Sequence, residues 1–263
     1  MIDKFLYAYA LIFSRKCFIK WHKFLHRISL SGLGILNYKS DRVSGESNFL
    51  KWYMSQVSGV VLDVGGNEGR YARVVRQNNN DVKIYSFEPH PKTFPKLLAN
   101  TSKINVISIN KGLSSEEGTL TLYDYADGDG STHASLYQNV LTDLHHSNAC
   151  VAHEVAVTTI DAFVDENNIS QISLLKIDVE GNEYEVLRGA KETIASGKIM
   201  AIHFEFNEMN VASRIFFYDF WKLLEGYSFY RLLPAGMLEI ENYNALYCEI
   251  FAYQNIVAIR RSS

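Results

Sequence analysis

The chain reads Val60-Val61-Leu62-Asp63-Val64-Gly65-Gly66-Asn67-Glu68-Gly69 over residues 60–69, a short apolar run that stops at a cluster of glycines. An apolar, β-branched run of this length is typical of a strand that is buried on both faces of a parallel sheet. The glycines predict a tight turn into a helix that begins near Arg70, with free backbone N–H groups that favour a polar or anionic ligand group. The stretch therefore predicts an α/β fold with a ligand at this turn.

The next predicted strand, from Val82 to Phe87, ends in Glu88 and Pro89. An acidic side chain at the tip of the second strand can accept hydrogen bonds from both hydroxyls of a ribose. The glycine order is Gly-Gly-x-x-Gly and differs from the Gly-x-Gly-x-x-Gly of dinucleotide-binding turns. We predict a nucleoside at these two strand ends, and an ordinary strand-turn-helix with a solvated Glu88 is the alternative.

The composition fits one large α/β domain, because the chain has 263 residues, 47% hydrophobic and 21% charged. The net charge is -3, yet residues 1–30 hold six Lys and Arg against one Asp, so the rest of the chain is acidic. An acidic domain is a poor nucleic-acid binder, and we expect no nucleic-acid partner. Cys17, Cys150 and Cys248 lie far apart, which predicts neither a disulfide framework nor a zinc site and favours the cytoplasm.

We divide the chain into an N-terminal helical extension, residues 1–45, and a ligand-binding domain, residues 46–263. Phe5 to Phe13 is apolar, shorter than a membrane span, and not followed by a signal-peptide cleavage site. From Arg15 onward, apolar residues recur at helical spacing among basic ones, which is typical of a basic amphipathic helix. Such a helix can lie peripherally on an anionic membrane, or pack on the domain or in a homodimer, and the sequence leaves these open.

Two later strands also end in charged side chains. After Ile172, side-chain alternation places Lys176, Asp178 and Glu180 on one face, and in the following strand it places His203 and Glu205 together. Parallel α/β sheets bind ligands at the carboxyl ends of their strands. We therefore predict that these acids, with His203, face one crevice beside the nucleoside. A strand end held by a salt bridge to Lys176 is the alternative.

Three further features concern the periphery of this crevice. Glu46 precedes a predicted helix, where it can reach the ligand or cap the helix. Residues 118–123 alternate in polarity, which predicts an added β-hairpin. Residues 126–151 are rich in Gly, Ser, Asp, Asn and His, which is typical of a lid or a disordered segment, and His133 within them is either a catalytic side chain or an exposed loop residue.

These motifs resemble the FkbM-type family of S-adenosylmethionine-dependent methyltransferases. The resemblance covers about residues 60–207 and rests on four ordered motifs: residues 62–69, Phe87-Glu88-Pro89-His90-Pro91, Thr159-Ile160-Asp161 and, most specifically, residues 175–189. The family usually has Ala where Gly66 and Gly112 stand here. It implies a Rossmann-like class I methyltransferase fold, with a mostly parallel seven-stranded sheet, helices on both faces and an added β-hairpin.

The resemblance also implies S-adenosyl-L-methionine as methyl donor and O-methylation of a hydroxyl of a sugar, glycan or related metabolite. A carboxylate or imidazole beside that hydroxyl can take its proton. The expected catalytic residues are Asp178, Glu205, Glu180 and His133. The expected cofactor-binding residues are Glu46, Asp63, Gly65, Gly66, Asn67, Glu68, Gly69, Glu88, Pro89, Leu113, Ser114 and Asp178.

Among these, Gly65, Gly66, Asn67 and Gly69 are expected at the methionine end of the donor, and Asp63 at the glycine turn and the ammonium group. Asp178 and Glu205 are also the expected ligands of Mg²⁺ if a divalent metal takes part. Two other functions stay open on the sequence. One is a nicotinamide-dependent oxidoreductase, which the glycine order disfavours, and the other is a non-catalytic binding protein that keeps the fold.

Overall fold

The computed structural model describes residues 2–125, 135–136 and 150–261. The strands are β1 (Val60–Val64), β2 (Lys83–Phe87), β3 (Val106–Ile109), β4 (Gly112–Leu113), β5 (Gly118–Tyr125), β6 (Cys150–Thr158), β7 (Ile172–Ile177), β8 (Ala201–Phe206), β9 (Tyr227–Leu233), β10 (Gly236–Ile240) and β11 (Gln254–Arg260). The α-helices are α1 (Ile2–Phe13), α2 (Ile19–Gly32), α3 (Asp41–Ser44), α4 (Glu46–Met54), α5 (Arg70–Asn78), α6 (Phe94–Thr101), α7 (Ile160–Glu166), α8 (Glu183–Arg188), α9 (Lys191–Ala195), α10 (Met209–Ser213), α11 (Phe217–Leu223) and α12 (Ala245–Cys248). A short 3₁₀ helix, Lys16–Phe18, lies between α1 and α2.

The central sheet has eight strands in the spatial order β10-β9-β11-β8-β7-β1-β2-β3. The strands β3, β2, β1, β7 and β8 pair in parallel, so their carboxyl ends lie at one edge of the sheet. Strand β11 runs antiparallel between β8 and β9. The predicted α/β class and mostly parallel sheet are confirmed. The sheet has eight strands instead of the predicted seven because β10 folds back on β9 at the edge.

Apolar side chains cover both faces of this sheet, as expected for a parallel sheet between helices. On one face, Leu62 and Leu175 pack in a cluster with side chains of α7, α8 and α11. On the other face, Val61 and Leu174 pack with side chains of α4 and α5. Each fully buried Leu, Ile, Val or Phe contributes about 1.5–3 kcal/mol, and these two clusters fix the positions of the strand ends.

A second, three-stranded sheet, in the order β4-β6-β5, lies beside the carboxyl end of the main sheet. Strands β5 and β6 are antiparallel, which confirms the predicted added hairpin. Most of the chain between them, including the predicted catalytic His133, lies outside the described residues. Ser135 is described: it pairs with Tyr123, and its hydroxyl donates to the carbonyl oxygen of Glu180 at 2.8 Å.

The N-terminal part divides into two differently packed pieces. Helix α1 has no buried residue, and α2, which is the predicted amphipathic helix, buries only Leu30. The residues after α2 pack on the terminal strands: Ile35 is fully buried, and the N–H of Leu36 donates to the carbonyl oxygen of Tyr253 at 2.8 Å. None of the described helices combines the length and apolar character needed to cross a bilayer.

Residues 183–195 form two helices, α8 and α9, which are separated at Gly189. A side chain at Gly189 would overlap the carbonyl oxygen of Ser114, so the glycine lets this segment pack closely against the loop after β4.

Candidate functional site

The turn after β1 is held tightly against the strands on either side of it. A Cβ at Gly65 would overlap the carbonyl oxygen of Asp178, and a Cβ at Gly66 would overlap the hydroxyl of Ser86. The N–H groups of Gly65 and Gly66 donate to the carbonyl oxygen of Phe87 at 3.0 and 2.8 Å. The free N–H groups predicted from the sequence are those at the start of α5, so these two hydrogen bonds do not test that prediction. The glycines allow close packing of the backbone, and the protein itself takes up their donors.

Glu88 braces the same turn from the end of β2. Its carboxylate accepts the N–H of Asn67 at 2.9 Å and the N–H of His90 at 2.8 Å. Burial raises the pKa of Glu88 to about 7, although the two backbone donors oppose that shift. Since a carboxylate has about four acceptor sites, about two remain for hydroxyl groups of a ligand.

A cavity of about 740 Å³ lies between Glu88 and the added hairpin. Its apolar walls are formed by Val64, Phe87, Pro89, Leu113, Leu122, Leu136, Val155, Val157 and Val179. We call it the small cavity. Asn182 lines it, and the Nδ2 atom of Asn182 has no hydrogen-bond partner in the part of the chain that the structure describes. An unpaired buried amide costs about 1–3 kcal/mol, so this group is suited to donate to a ligand.

Sequence reasoning missed Asn182 as a site residue, although it lies within the family-like stretch after β7. The available signal was its position beside Glu180, at the end of a central strand. That its amide lacks a partner follows from the packing of residues distant in sequence. No local pattern reports it.

A wider cavity of about 1680 Å³, open to solvent, lies on the other side of the turn, and we call it the large cavity. The two cavities share Gly65, Asn67, Asp178 and Glu180 as lining residues. The acidic side chains of the large cavity are Asp41, Glu46, Glu68, Asp178, Glu180, Glu205 and Glu208, and the basic ones are Arg70 and Lys176. The structure thus brings Asp178, Glu180 and Glu205 together at one crevice, as the sequence predicted.

Lys176 organises the acids at the floor of the large cavity. Its Nζ lies 3.0 Å from Oδ2 of Asp178 and 3.9 Å from Oδ1 of Asp63. Burial by itself would lower the pKa of Lys176, but these carboxylates outweigh burial and raise it. Lys176 therefore forms a salt bridge with Asp178 at this strand end, as the predicted alternative describes.

Asp63 lies beneath the glycine turn and lines neither cavity. It is fully buried, and the hydroxyl of Ser86 donates to its Oδ2 at 2.8 Å. Burial raises the pKa of Asp63. This position agrees with the predicted role in fixing the turn, whereas contact with the donor's ammonium group stays a prediction.

Glu205 and Glu46 face the large cavity with little internal compensation. Burial, followed by the nearby acids Asp178 and Glu180, raises the pKa of Glu205 well above its usual value. The side-chain amide of Asn207 donates to Glu205, at a distance of 3.4 Å. Burial also raises the pKa of Glu46 to about 7. Both groups are poised to change protonation when a charged ligand enters.

His203 lines neither cavity, so the prediction that it faces the crevice is wrong. Its Nδ1 lies 3.0 Å from the hydroxyl of Tyr71 and its Nε2 lies 3.0 Å from Oδ1 of Asn255. Burial lowers the pKa of His203 to about 4, so the ring is neutral. His203 precedes Glu205 on the same strand face, but the ring of Phe49, 5.7 Å away, and Tyr71 cover it.

The remaining predicted site residues divide between the cavities and the protein interior. Those at the large cavity are Glu46, Gly65, Gly66, Asn67, Glu68 and Asp178, and those at the small cavity include Glu88, Pro89 and Leu113. Gly69 packs against Thr101 and Leu97 at the start of α5. Ser114 lines neither cavity, so its predicted contact with the cofactor is not supported: it is buried, and its N–H donates to the carbonyl oxygen of Thr158.

The described residues contain no group of three or more His, Cys, Asp or Glu side chains that could hold a metal ion. Asp178 and Glu205 line the same cavity, but Lys176 occupies one oxygen of Asp178. This arrangement gives the predicted Mg²⁺ site no support.

Comparison with known proteins gives matches to methyltransferases. A family model described as "Methyltransferase FkbM domain" matches residues 63–229. Hexuronic acid methyltransferase AglP of Haloferax volcanii is 26% identical over 156 residues, which cover 58% of this chain and 59% of that protein. Methyltransferase 1 of Beauveria bassiana is 31% identical over 142 residues, covering 49% and 57% respectively. 2-O-methyltransferase NoeI of Sinorhizobium fredii is 24% identical over 164 residues, covering 57% and 65%. The matches span less than two thirds of each relative's length.

Proposed function

The chain belongs to the FkbM methyltransferase family, and from this premise we propose that it transfers the methyl group of S-adenosylmethionine to a hydroxyl of a sugar, glycan or related metabolite. The observation that carries the proposal is the pair of cavities that meet at Gly65, Asn67, Asp178 and Glu180. A donor that crosses the glycine turn would reach from an apolar cavity into an acidic one. Membership of this family removes the nicotinamide-dependent oxidoreductase as an alternative.

The small cavity fits the nucleoside part of the donor. Its walls are apolar, with few polar groups, as is usual where a flat aromatic base binds. The acceptor sites of Glu88 that remain beside Asn67 and His90 suit the two ribose hydroxyls. The unpaired amide of Asn182 suits an acceptor nitrogen of the base. These are contacts that the chain's own residues are already positioned to make.

The large cavity fits the reacting end of the donor and the acceptor hydroxyl. S-adenosylmethionine supplies a methyl group that the positive charge on its sulfur activates. The protein then has to align the hydroxyl, exclude water and take one proton. Glu205 is the proposed base in its ionised form, which the positive charge of the donor favours, and burial with the acids around it raises its pKa and hence its affinity for a proton. Asp178, fixed by Lys176 and shared by both cavities, is the proposed clamp.

The acceptor is proposed to be a neutral or amine-bearing sugar or glycan. One relative is by name a hexuronic acid methyltransferase, which favours a sugar as the acceptor, and another is by name a 2-O-methyltransferase, which favours an oxygen atom. Acidic side chains outnumber basic ones in the large cavity, where Lys176 already contacts Asp178 and Arg70 contacts Asp41 at 2.6 Å. Like charges repel, so this cavity disfavours an acidic sugar. The acceptor class therefore differs from the one named for the Haloferax protein.

The proposed function is tested by incubating the protein with isotope-labelled S-adenosylmethionine and panels of neutral, amino and acidic glycans. We expect a mass gain of one methylene unit, carrying the label, in a neutral or amino glycan. Glu208→Gln, a change of an exposed acid at the same cavity, serves as the matched control for Glu205→Gln. Donor binding without a methylated product from any panel would favour the non-catalytic alternative.

The predicted Mg²⁺ is tested separately with EDTA. Loss of turnover in EDTA that Mg²⁺ restores would support the metal, and unchanged turnover in EDTA would contradict it.

A further inference from the structure

Helix α1 exposes an unusually apolar surface. Ile2, Phe5, Leu6, Tyr7, Leu11 and Ile12 are all exposed, and no residue of α1 is buried. Aromatic rings of α1 contact α2, with Tyr9 and His22 at 5.8 Å between ring centroids, and the 3₁₀ helix before it, with Phe13 and Phe18 at 5.2 Å. Single exposed apolar residues are ordinary, whereas a contiguous apolar surface marks an interaction site.

Helix α2 turns its apolar face away from the domain. At about 3.6 residues per turn, Trp21, Phe24, Leu25 and Ile28 fall on one face, and Leu30 falls on the opposite one. Leu30 is buried, with 7% of its surface exposed, while Trp21 and Ile28 are each 53% exposed. A helix that only covered the domain would have the reverse orientation, because its apolar face would point to the core.

The same segment is strongly basic. Residues 4–40 contain seven Lys and Arg residues and no Asp or Glu. None of these seven makes a salt bridge with an acidic side chain of the described residues. Exposed apolar side chains next to uncompensated basic ones are the combination that binds an anionic lipid surface, where the apolar groups enter the bilayer and the cations meet the headgroups.

We propose that residues 2–28 form a binding surface for bilayers that contain anionic phospholipids. A bilayer can take up the apolar side chains that α1 exposes on several sides, whereas a groove in a partner protein covers only one face. A second copy of the same helices is disfavoured because it would bring two uncompensated basic segments together. The proposal stands on this surface alone and does not depend on the proposed reaction.

The test uses the full chain and vesicles of phosphatidylcholine, with or without phosphatidylserine, in a sedimentation assay. We expect the protein to sediment with the anionic vesicles and to be released by salt, because part of the attraction is electrostatic. Lys20→Gln/Lys23→Gln/Arg27→Gln should lower the partition coefficient on the order of 100-fold, since each basic residue near an anionic surface contributes about 1 kcal/mol. Trp21→Ser/Ile28→Ser should also weaken binding, by removing the inserted groups.

The matched control is Leu246→Ser/Tyr247→Ser, which removes two large exposed apolar residues of α12 and should bind like the wild type. Thermal unfolding of each variant checks that it folds. Equal binding by the wild type and Trp21→Ser/Ile28→Ser, or no binding to anionic vesicles, would overturn the proposal. If the wild type does not bind vesicles but is a dimer in light scattering, and Trp21→Ser/Ile28→Ser is a monomer, the surface binds a second copy of the chain. Because lipid binding is the readout, this failure is distinct from a failure of methyl transfer.

Discussion

The small and large cavities meet at the same four residues, yet Glu88 in the first and Glu205 in the second differ in the hydrogen bonds that their buried carboxylates accept. In the small cavity, Glu88 is fixed by two backbone N–H donors and surrounded by apolar walls. In the large cavity, Glu205 has one long contact, from Asn207, and faces other acids. The first arrangement is preorganised for binding. The second keeps a carboxylate in an unfavourable state, as is common for groups that take part in chemistry.

The largest effect should come from Glu205→Gln. Glutamine keeps the shape but cannot take a proton, and general-base catalysis contributes typically about 10²–10⁴-fold to a rate. We expect kcat to fall by about 10²–10³-fold on the acceptor found by the glycan screen, while the Kd for S-adenosylmethionine changes little. The control Glu208→Gln should keep the wild-type kcat. Equal kcat values for the two variants would transfer the role of base away from Glu205.

Glu88→Ala should change the small cavity, and it should raise the Kd for S-adenosylmethionine instead of lowering kcat. The change removes the acceptor of the Asn67 and His90 N–H groups and the proposed ribose contacts. Hydrogen bonds to a charged group contribute about 1.5–3 kcal/mol each, so the Kd for S-adenosylmethionine should rise on the order of 100-fold or more in titration calorimetry.

The matched control for this change is Glu225→Ala, because Glu225 is exposed, lines neither cavity and pairs with Lys222 at 2.5 Å. Surface pairs of this kind contribute little, so the control should bind the donor nearly as the wild type does. Unchanged donor affinity in Glu88→Ala, with the fold intact, would contradict the ribose assignment and with it the division of roles between the cavities.

The sequence predicted those parts of the site whose signals are local. Glycines after a β-branched run predict the turn at Gly65, and parallel strands bring their ends together, so Asp178 and Glu205 meet. Strand alternation tells which face His203 occupies. It does not tell how deep the crevice reaches, and Phe49 and Tyr71 from distant parts of the chain close it above this histidine.

Three other features depend on partners that no local pattern names. The N–H groups of Gly65 and Gly66 have a partner because the end of β2 lies close enough for the carbonyl oxygen of Phe87 to accept both. Within the described residues the Nδ2 atom of Asn182 has no hydrogen-bond partner, which only the folded structure can show. The extra strand β10 is a third case, since an edge strand is defined by its neighbour β9.

Glu46→Gln should increase the free energy of unfolding at high pH, because it removes a buried carboxylate from the acidic large cavity. Burial raises the pKa of Glu46 from 4.5 to about 7, so the folded state binds this proton more tightly than the unfolded state. The contribution of Glu46 to stability is therefore complete below about pH 4.5 and is lost as the pH rises to about 7. Glutamine does not titrate. The variant should be about 1–2 kcal/mol more stable than the wild type near pH 8 and about equal near pH 4, measured by urea unfolding.

The smallest effect concerns the pH dependence of donor binding. It tests whether the positive charge of the donor lies in the large cavity, independently of the ribose contact in the small cavity. The positive charge of the donor favours the ionised forms of Glu46 and Glu205, whose pKa values are raised by burial in the empty protein. Binding should therefore release protons and become several-fold tighter between about pH 6 and pH 8. Calorimetry in two buffers of different ionisation enthalpy measures this release, and Glu46→Gln should reduce it. Proton uptake, or no proton change, would mean that the donor's charge lies outside the large cavity, even if Glu88 still held the ribose.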